Sequence, residues 1–321
     1  MTTDTHTRIR AASPEDMLAL VPYLLGFRPE ESLVTVLLSG SRIVLTARVD
    51  LPTRRQACPA LDQLVGQLDE VGQRHQVDRV VVAVFSADLT RSSEVLRRLA
   101  LDSPLPVVLA LHCDRDRYRI LAEDGVVSDE YPFDPTGSVA VAEAVLAGLG
   151  PLADRAAVAD RVAPGEPAVV EELRQAAEEV DLPDDPGARA ALMRSSVERG
   201  LQGGLDPVDR ARLALLCLDL EVRDEAWLMM DRAEAEAHLE VWLSVARSVP
   251  MVLSAGPVSL AGMAAWLTGD GAMAWCCVDR MAEEHPQYRM AGLLQELLAQ
   301  AVHPDTWAEM VTEMVDGRED A

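Results

Sequence analysis

Two hydrophobic periods alternate along the first half of the chain. Leu33–Leu38 and Ile43–Leu51 are dense in β-branched and aliphatic residues and read as strands, and Ser39-Gly40-Ser41-Arg42 between them reads as the turn of an antiparallel hairpin. Upstream, Ser13-Pro14-Glu15-Asp16 is a helix start: serine caps, proline takes the first turn, and two acids face the positive end of the dipole. The apolar run Met17–Leu25 continues that helix, interrupted by Pro22 and stopped by Gly26. Cys58–His75 sets Leu61, Leu64, Val65 and Leu68 on one helical face. Arg79–Phe85 is a continuous apolar run, expected as a central strand covered on both sides. A helix at Ser92–Leu101 and a strand at Pro106–His112 complete a strand–helix–strand unit. Cys113–Asp116 reads as a turn into a strand at Arg117–Leu121, Val126–Tyr131 as a further strand, and Val139–Leu149 as a closing helix.

Beyond residue 150 the strand period disappears. Residues 151–167 carry scattered charge and end in Pro164-Gly165-Glu166-Pro167, a linker pattern. Amphipathic helices follow at Ala168–Val180, Ala188–Arg199 and Asp206–Leu220 and continue to Val315, with Asp184-Asp185-Pro186 and Asp206-Pro207 as starts. One internal repeat stands in this half. Glu225-Ala226-Trp227 through Asp231-Arg232 recurs as Met273-Ala274-Trp275 through Asp279-Arg280, an offset of 48 residues. Around the second copy, Leu260–Leu267, Gly269-Asp270, Ala274 and Pro286 sit where a tetratricopeptide repeat places its first helix, tight turn, small packing residue and terminal proline. The offset exceeds the period of about 34 residues of such arrays, so an extra helix near Leu239–Val249 is expected between the copies. The predicted architecture is an α/β domain with a mixed sheet and packed helices over residues 1–150, a linker at 151–167, and an all-α, tetratricopeptide-like domain over 168–321.

Composition narrows the chemistry. All 29 basic residues are arginine, and neither lysine nor asparagine occurs. That removes Schiff-base lysine chemistry, the phosphate-binding lysine of nucleotide-binding loops, and kinases of the usual type. Residues 151–321 hold 14 Arg against 32 Asp and Glu, a net −18, whereas the first 150 hold 15 against 21, a net −6. Such a field disfavours nucleic acid and anionic membrane surfaces, while leaving room for a local arginine patch. No apolar run reaches the roughly 18 residues of a membrane span. The first ten residues lack a signal-peptide pattern, so the expectation is a cytoplasmic protein. The five cysteines, at 58, 113, 217, 276 and 277, form neither a zinc spacing nor an even disulfide framework. No metal or cofactor is expected.

Several stretches carry a family likeness. Pro22-Tyr23-Leu24-Leu25-Gly26-Phe27-Arg28-Pro29-Glu30-Glu31-Ser32-Leu33-Val34 followed by Arg48-Val49-Asp50-Leu51-Pro52 closely resembles an actinobacterial family, domain-of-unknown-function family 4192. Further similarity lies at Asp154-Arg155 through Pro164, at Trp266–Gly271 and at Pro304-Asp305-Thr306-Trp307. The resemblance implies an actinobacterial origin, which agrees with a GC-rich genome depleted of lysine and asparagine codons; salt adaptation is the other source of such a bias. It implies no activity. Many members carry a Cys- and Pro-rich stretch after the strand near Pro106, where this chain has Glu123-Asp124-Gly125-Val126-Val127-Ser128, so a metal or redox role built on those cysteines does not transfer.

Arg48 and Asp50 alternate with Val49 and leave the same strand face, where they line either a ligand pocket with Tyr23, Glu30 and Ser32 or a structural ion pair clamping the first helix. His112-Cys113-Asp114 offers base, nucleophile and carboxylate types, but strand neighbours point to opposite faces. Asp114 and Asp116 suit Mg²⁺, against the charge of Arg115 and Arg117. All five tryptophans fall in the helical half, so Trp227 and Trp275, with Asp231, Arg232, Asp279 and Arg280, form either a partner groove or ordinary helical packing. The leading expectation is a non-catalytic protein-interaction or regulatory module that meets another protein through its helical domain. The alternative is a small-molecule-binding protein or enzyme using the pocket near Tyr23, Arg48 and Asp50.

Overall fold

Ser13 opens the first helix as its sequence directs: its hydroxyl accepts from the Asp16 N–H at 3.1 Å, α1 runs Pro14–Leu25, and Gly26 ends it at φ 76°. Pro22 lies inside that helix without ending it. In this computed structural model the described residues are 9–122 and 125–312, and the chain divides into two compact units, Met1–Arg155 and Ala156–Ala321. Glu123, Asp124 and the expected helical stretch from 313 to 315 lie outside the described residues.

In the first unit β1 (Ser32–Ser39) and β2 (Arg42–Asp50) form the expected antiparallel hairpin, with Gly40 at φ 59° in its turn. α2 (Ala57–His75), β3 (Arg79–Phe85), α3 (Leu89–Asp102), β4 (Val107–Asp114), β5 (Arg117–Ile120), β6 (Tyr131–Pro132) and α4 (Val139–Leu146) follow. The six-stranded mixed sheet runs β2-β1-β3-β4-β5-β6, and β3–β4 is its parallel pair. α1 covers one face, with Met17 and Val21 against Val34, Val36 and Val81, and Leu18 and Ala19 against Ala83, Leu111 and Cys113. α3 packs on β3 and β4, and Val80–Val84 are buried throughout, as a strand covered on both sides requires. The strand expected at Val126–Tyr131 shrinks to one bridge, Leu121 to Val127, and the two residues of β6. Pro132 has no N–H to extend that ladder. β4 runs on through Cys113 and Asp114, so the turn narrows to Arg115 and Asp116, with Arg115 at φ 53°.

The second unit is helical: α5 (Arg155–Asp160), α6 (Pro167–Ala177), α7 (Pro186–Leu201), α8 (Pro207–Leu216), α9 (Leu220–Leu228), α10 (Ala235–Ser248), α11 (Ala255–Thr268), α12 (Gly271–Glu284) and α13 (Arg289–Ala299). Asp185, Asp206, Asp219 and Asp270 each cap a start, accepting from a backbone N–H two or three residues on. The segment expected as a linker holds α5, and the expected helix Asp206–Leu220 ends at Leu216 before Asp219 starts a new one. α11 is buried from Gly256 to Leu267, so its small residues set how near its neighbours come. A Cβ on Gly262 would stand 2.9 Å from the Cβ of Cys277 on α12, so only glycine allows this approach. The two repeat copies diverge: α9 ends at Leu228, leaving Asp231-Arg232 in a turn, whereas α12 continues through Asp279-Arg280.

Candidate functional site

The pairing register gathers polar residues at one end of the sheet. Ser32 lies opposite both Asp50 and Phe85, and Phe85 lies opposite Cys113, so the start of β1, the end of β2 and the carboxyl ends of β3 and β4 share a rim. Arg48 Nε donates to Ser32 Oγ at 2.8 Å, Ser32 Oγ donates to the Glu30 carbonyl at 2.6 Å, and the Arg48 guanidinium reaches Asp50 at 2.6 Å. Arg48 is 17% exposed and Asp50 87%, so the pair carries a largely buried cation out to a solvated carboxylate. Ser32, Arg48 and Asp50 therefore meet, and Glu30 joins through its backbone. Tyr23 packs into the apolar layer between α1 and α4, beside Leu20, Ala140 and Ala144.

A second network on this rim escapes sequence reasoning. Glu31 accepts from Ser86 Oγ at 2.7 Å and pairs with Arg91 at 2.5 Å, joining the start of β1 to the end of β3 and the first turn of α3. Ser86 Oγ accepts the Asp88 N–H, and its carbonyl meets His112 Nε2 at 2.9 Å. Burial pulls the His112 pKa down, which favours the neutral ring. Glu31 sits at φ 41°, a costly conformation for a residue with a Cβ. No spacing rule in the sequence connects residues 31, 86 and 91. Cys113 points to the opposite face from His112, into the core under α1, and burial pushes its thiol up to about 12. Among the described residues, no three His, Cys, Asp or Glu side chains gather as a metal site.

The tryptophans of the helical unit pack chiefly on one another and on the fold. Trp227 stacks on Trp307 at 5.2 Å, and Trp266 meets Trp307 edge-on at 6.2 Å. Trp307 Nε1 donates to the Met230 carbonyl at 2.8 Å, and Trp266 Nε1 donates to the Val302 carbonyl at 2.9 Å. Trp275 is half-buried on α12. Asp231 accepts the Glu234 N–H at 2.9 Å, Arg232 pairs with Asp305, and Asp279 is exposed. Arg280 is 7% exposed; its guanidinium donates to the Val162 and Ala246 carbonyls and pairs with Glu284. It ties α12 to α10 and to the segment after α5.

A serine, a histidine and a carboxylate also converge here, from positions that sequence spacing leaves scattered. Ser254 Oγ lies 2.8 Å from His285 Nε2 and 2.6 Å from Glu284 Oε2. The carboxylate binds the serine rather than orienting the imidazole, and Ser254 is fully buried, so the arrangement lacks the base–orienter order of a hydrolytic triad. Burial also lifts the Cys217 thiol to about 12 and raises Cys277 further, which suppresses thiolate chemistry at both.

Two neighbouring clefts open on this unit. One, of about 400 Å³, is lined by Arg161, Arg210 and Arg247 with Glu166 and Glu240. The other, about 350 Å³, shares Arg161 and Glu240 and adds Arg232, Glu236 and Asp270. Among the described helices, none is long and apolar enough to cross a membrane.

Comparison with known proteins gives one relationship. The profile of a family described as a domain of unknown function, DUF4192, matches residues 14–305. No curated protein and no solved structure matches the chain.

Proposed function

The chain belongs to the DUF4192 family, and on that premise we propose that it is a non-catalytic interaction or regulatory module whose binding half is the helical unit, with tetratricopeptide-like packing. The cleft of about 400 Å³ carries this reading: it is a concavity of ligand-binding size with charged groups facing it. The candidate chemistry elsewhere is quenched. Burial lifts the thiols of Cys113, Cys217 and Cys277, His112 Nε2 is engaged by the Ser86 carbonyl, and Ser254 is buried. The close approach of α11 and α12 at Gly262 and Cys277 and the tight turn at Gly269 support paired-helix packing of the repeat kind.

A second reading rests on the sheet rim. Glu31 holds a left-handed backbone beside the carboxyl ends of a parallel strand pair, where α/β sheets place ligands, and strain of this kind concentrates at binding sites. In that reading the chain is a small-molecule-binding protein or enzyme that uses the Arg48–Asp50 region.

Capture from the source-cell extract with the full chain separates the two. Arg247→Glu is expected to release a partner that Arg48→Ala retains. Release by Arg48→Ala alone favours the second reading, and the absence of any reproducible partner contradicts the first.

A further inference from the structure

We infer that the larger cleft of the helical unit is a binding site for a small oxyanion, a phosphate- or carboxylate-bearing metabolite. The inference deepens the proposed function and rests on the helical unit being the binding half. In a region of net −18, three arginines face one concavity, and two of them have guanidinium capacity left over. Arg161 is engaged by Glu240 at 2.9 Å. Arg210 reaches Glu172 only at 3.8 Å. Arg247, exposed in the last turn of α10, makes no side-chain ion pair or hydrogen bond among the described residues. The Arg247 guanidinium stands exposed at the cleft, and a carboxylate or a phosphate presents paired oxygens that match the arginine fork.

The walls are fixed by backbone contacts. The Gly165 N–H donates to the Arg247 carbonyl at 2.7 Å, and a Cβ at Gly165 would stand 2.7 Å from that same oxygen, so only glycine lets the strap before α6 lie this close to α10. Arg280 holds the same strap through the Val162 carbonyl and α10 through the Ala246 carbonyl. Arg161 and Gly165 on the strap and Arg247 on α10 are thereby positioned before any ligand arrives. A volume of about 400 Å³ is of the size that holds a small metabolite.

Isothermal titration of the full chain with inorganic phosphate and with succinate, at constant ionic strength in chloride, tests this. Saturable binding of at least one probe is expected, and the probe that binds identifies the phosphoryl or carboxylate class. Arg247→Gln should weaken it about tenfold or more. Arg247→Lys, which keeps the charge but loses the fork, should weaken it by less, and exposed Arg42→Gln on β2 should leave it unchanged. No saturable heat with either probe, or undiminished affinity in a folded Arg247→Gln, overturns the inference. Should both probes fail while Arg247→Glu still releases a captured partner, the oxyanion inference falls and the interaction reading stands. Should a probe bind and no partner be captured, the inference stands and the protein-partner reading falls.

Discussion

The two units place their charges differently. In the α/β unit, strand register sets complementary groups side by side, so Arg48 meets Ser32 and Asp50, and Glu31 meets Ser86 and Arg91. In the helical unit, packing is set by small residues and stacked tryptophans, and the arginines of α8, α10 and the strap are left around a concavity that their carboxylates do not fill. A sheet rim that satisfies itself reads as structure; a cleft with spare donors reads as a place for a ligand.

The sharpest way to break this contrast is to unfold one unit without the other. All five tryptophans lie in the helical unit, so their fluorescence follows that unit alone, while hydrogen exchange at the β3 amides follows the sheet. Trp307→Ala removes the centre of the aromatic stack and should cost the helical unit about 3–5 kcal/mol in denaturant unfolding. β3 exchange should stay unchanged; equal loss in both would show that the units do not unfold separately. Arg280→Met leaves the Val162 and Ala246 carbonyls without this donor and Glu284 without its cation, and should cost about 3 kcal/mol by the same fluorescence measurement. Its effect should reach oxyanion binding as well, because the cleft walls lose their clamp.

Effects on the sheet side are smaller. Ser32→Ala removes the acceptor of a largely buried Arg48 Nε and should destabilise the first unit by about 1–2 kcal/mol, read by β3 exchange, with tryptophan-monitored unfolding unaltered. Acid should act on both units. Burial lowers His112 in one unit and His238 in the other below the ordinary 6.5, and neither ring nitrogen of His238 has a partner among the described residues. The unfolded chain therefore takes up protons first as pH falls below 6.5, and stability declines from there to the lowered native values. The slope is at most about 1.4 kcal/mol per pH unit for each group. Replacing one histidine by glutamine should flatten the acid limb of its own unit only; an unchanged limb would contradict the assignment.

Much of this fold is legible in the sequence because local chemistry decides it. Ser13, Gly26 and Gly40 set the first helix and the hairpin, and the apolar run Arg79–Phe85 marks the central strand. Val126–Tyr131 misleads, because β-branched composition does not reveal that β5 offers so short a ladder to pair with. Of the candidate pocket, alternation links Arg48 to Asp50, but Tyr23 belongs to the apolar layer beside α4, which only the packing of α1 decides. The link from Glu31 to Ser86 and Arg91 depends on register across three elements. The repeat is visible in sequence, yet the same Asp-Arg dipeptide ends in an exposed pair at Arg232 and in a buried clamp at Arg280, because α9 stops at Leu228 and α12 does not. The arginine cleft leaves no linear signature at all: residues 161, 210 and 247 converge only once the strap is laid across α10.

The most direct test of the central claim, that the helical unit is the binding half, is site-specific photo-crosslinking of the full chain in its source cells. A photoreactive residue at Val169 or Ser244 probes the arginine cleft, and one at exposed Glu30, beside Ser32, probes the sheet rim. The account predicts discrete, reproducible adducts from Val169 and Ser244 and none from Glu30. Adducts from Glu30 alone would contradict it and move recognition to the α/β unit.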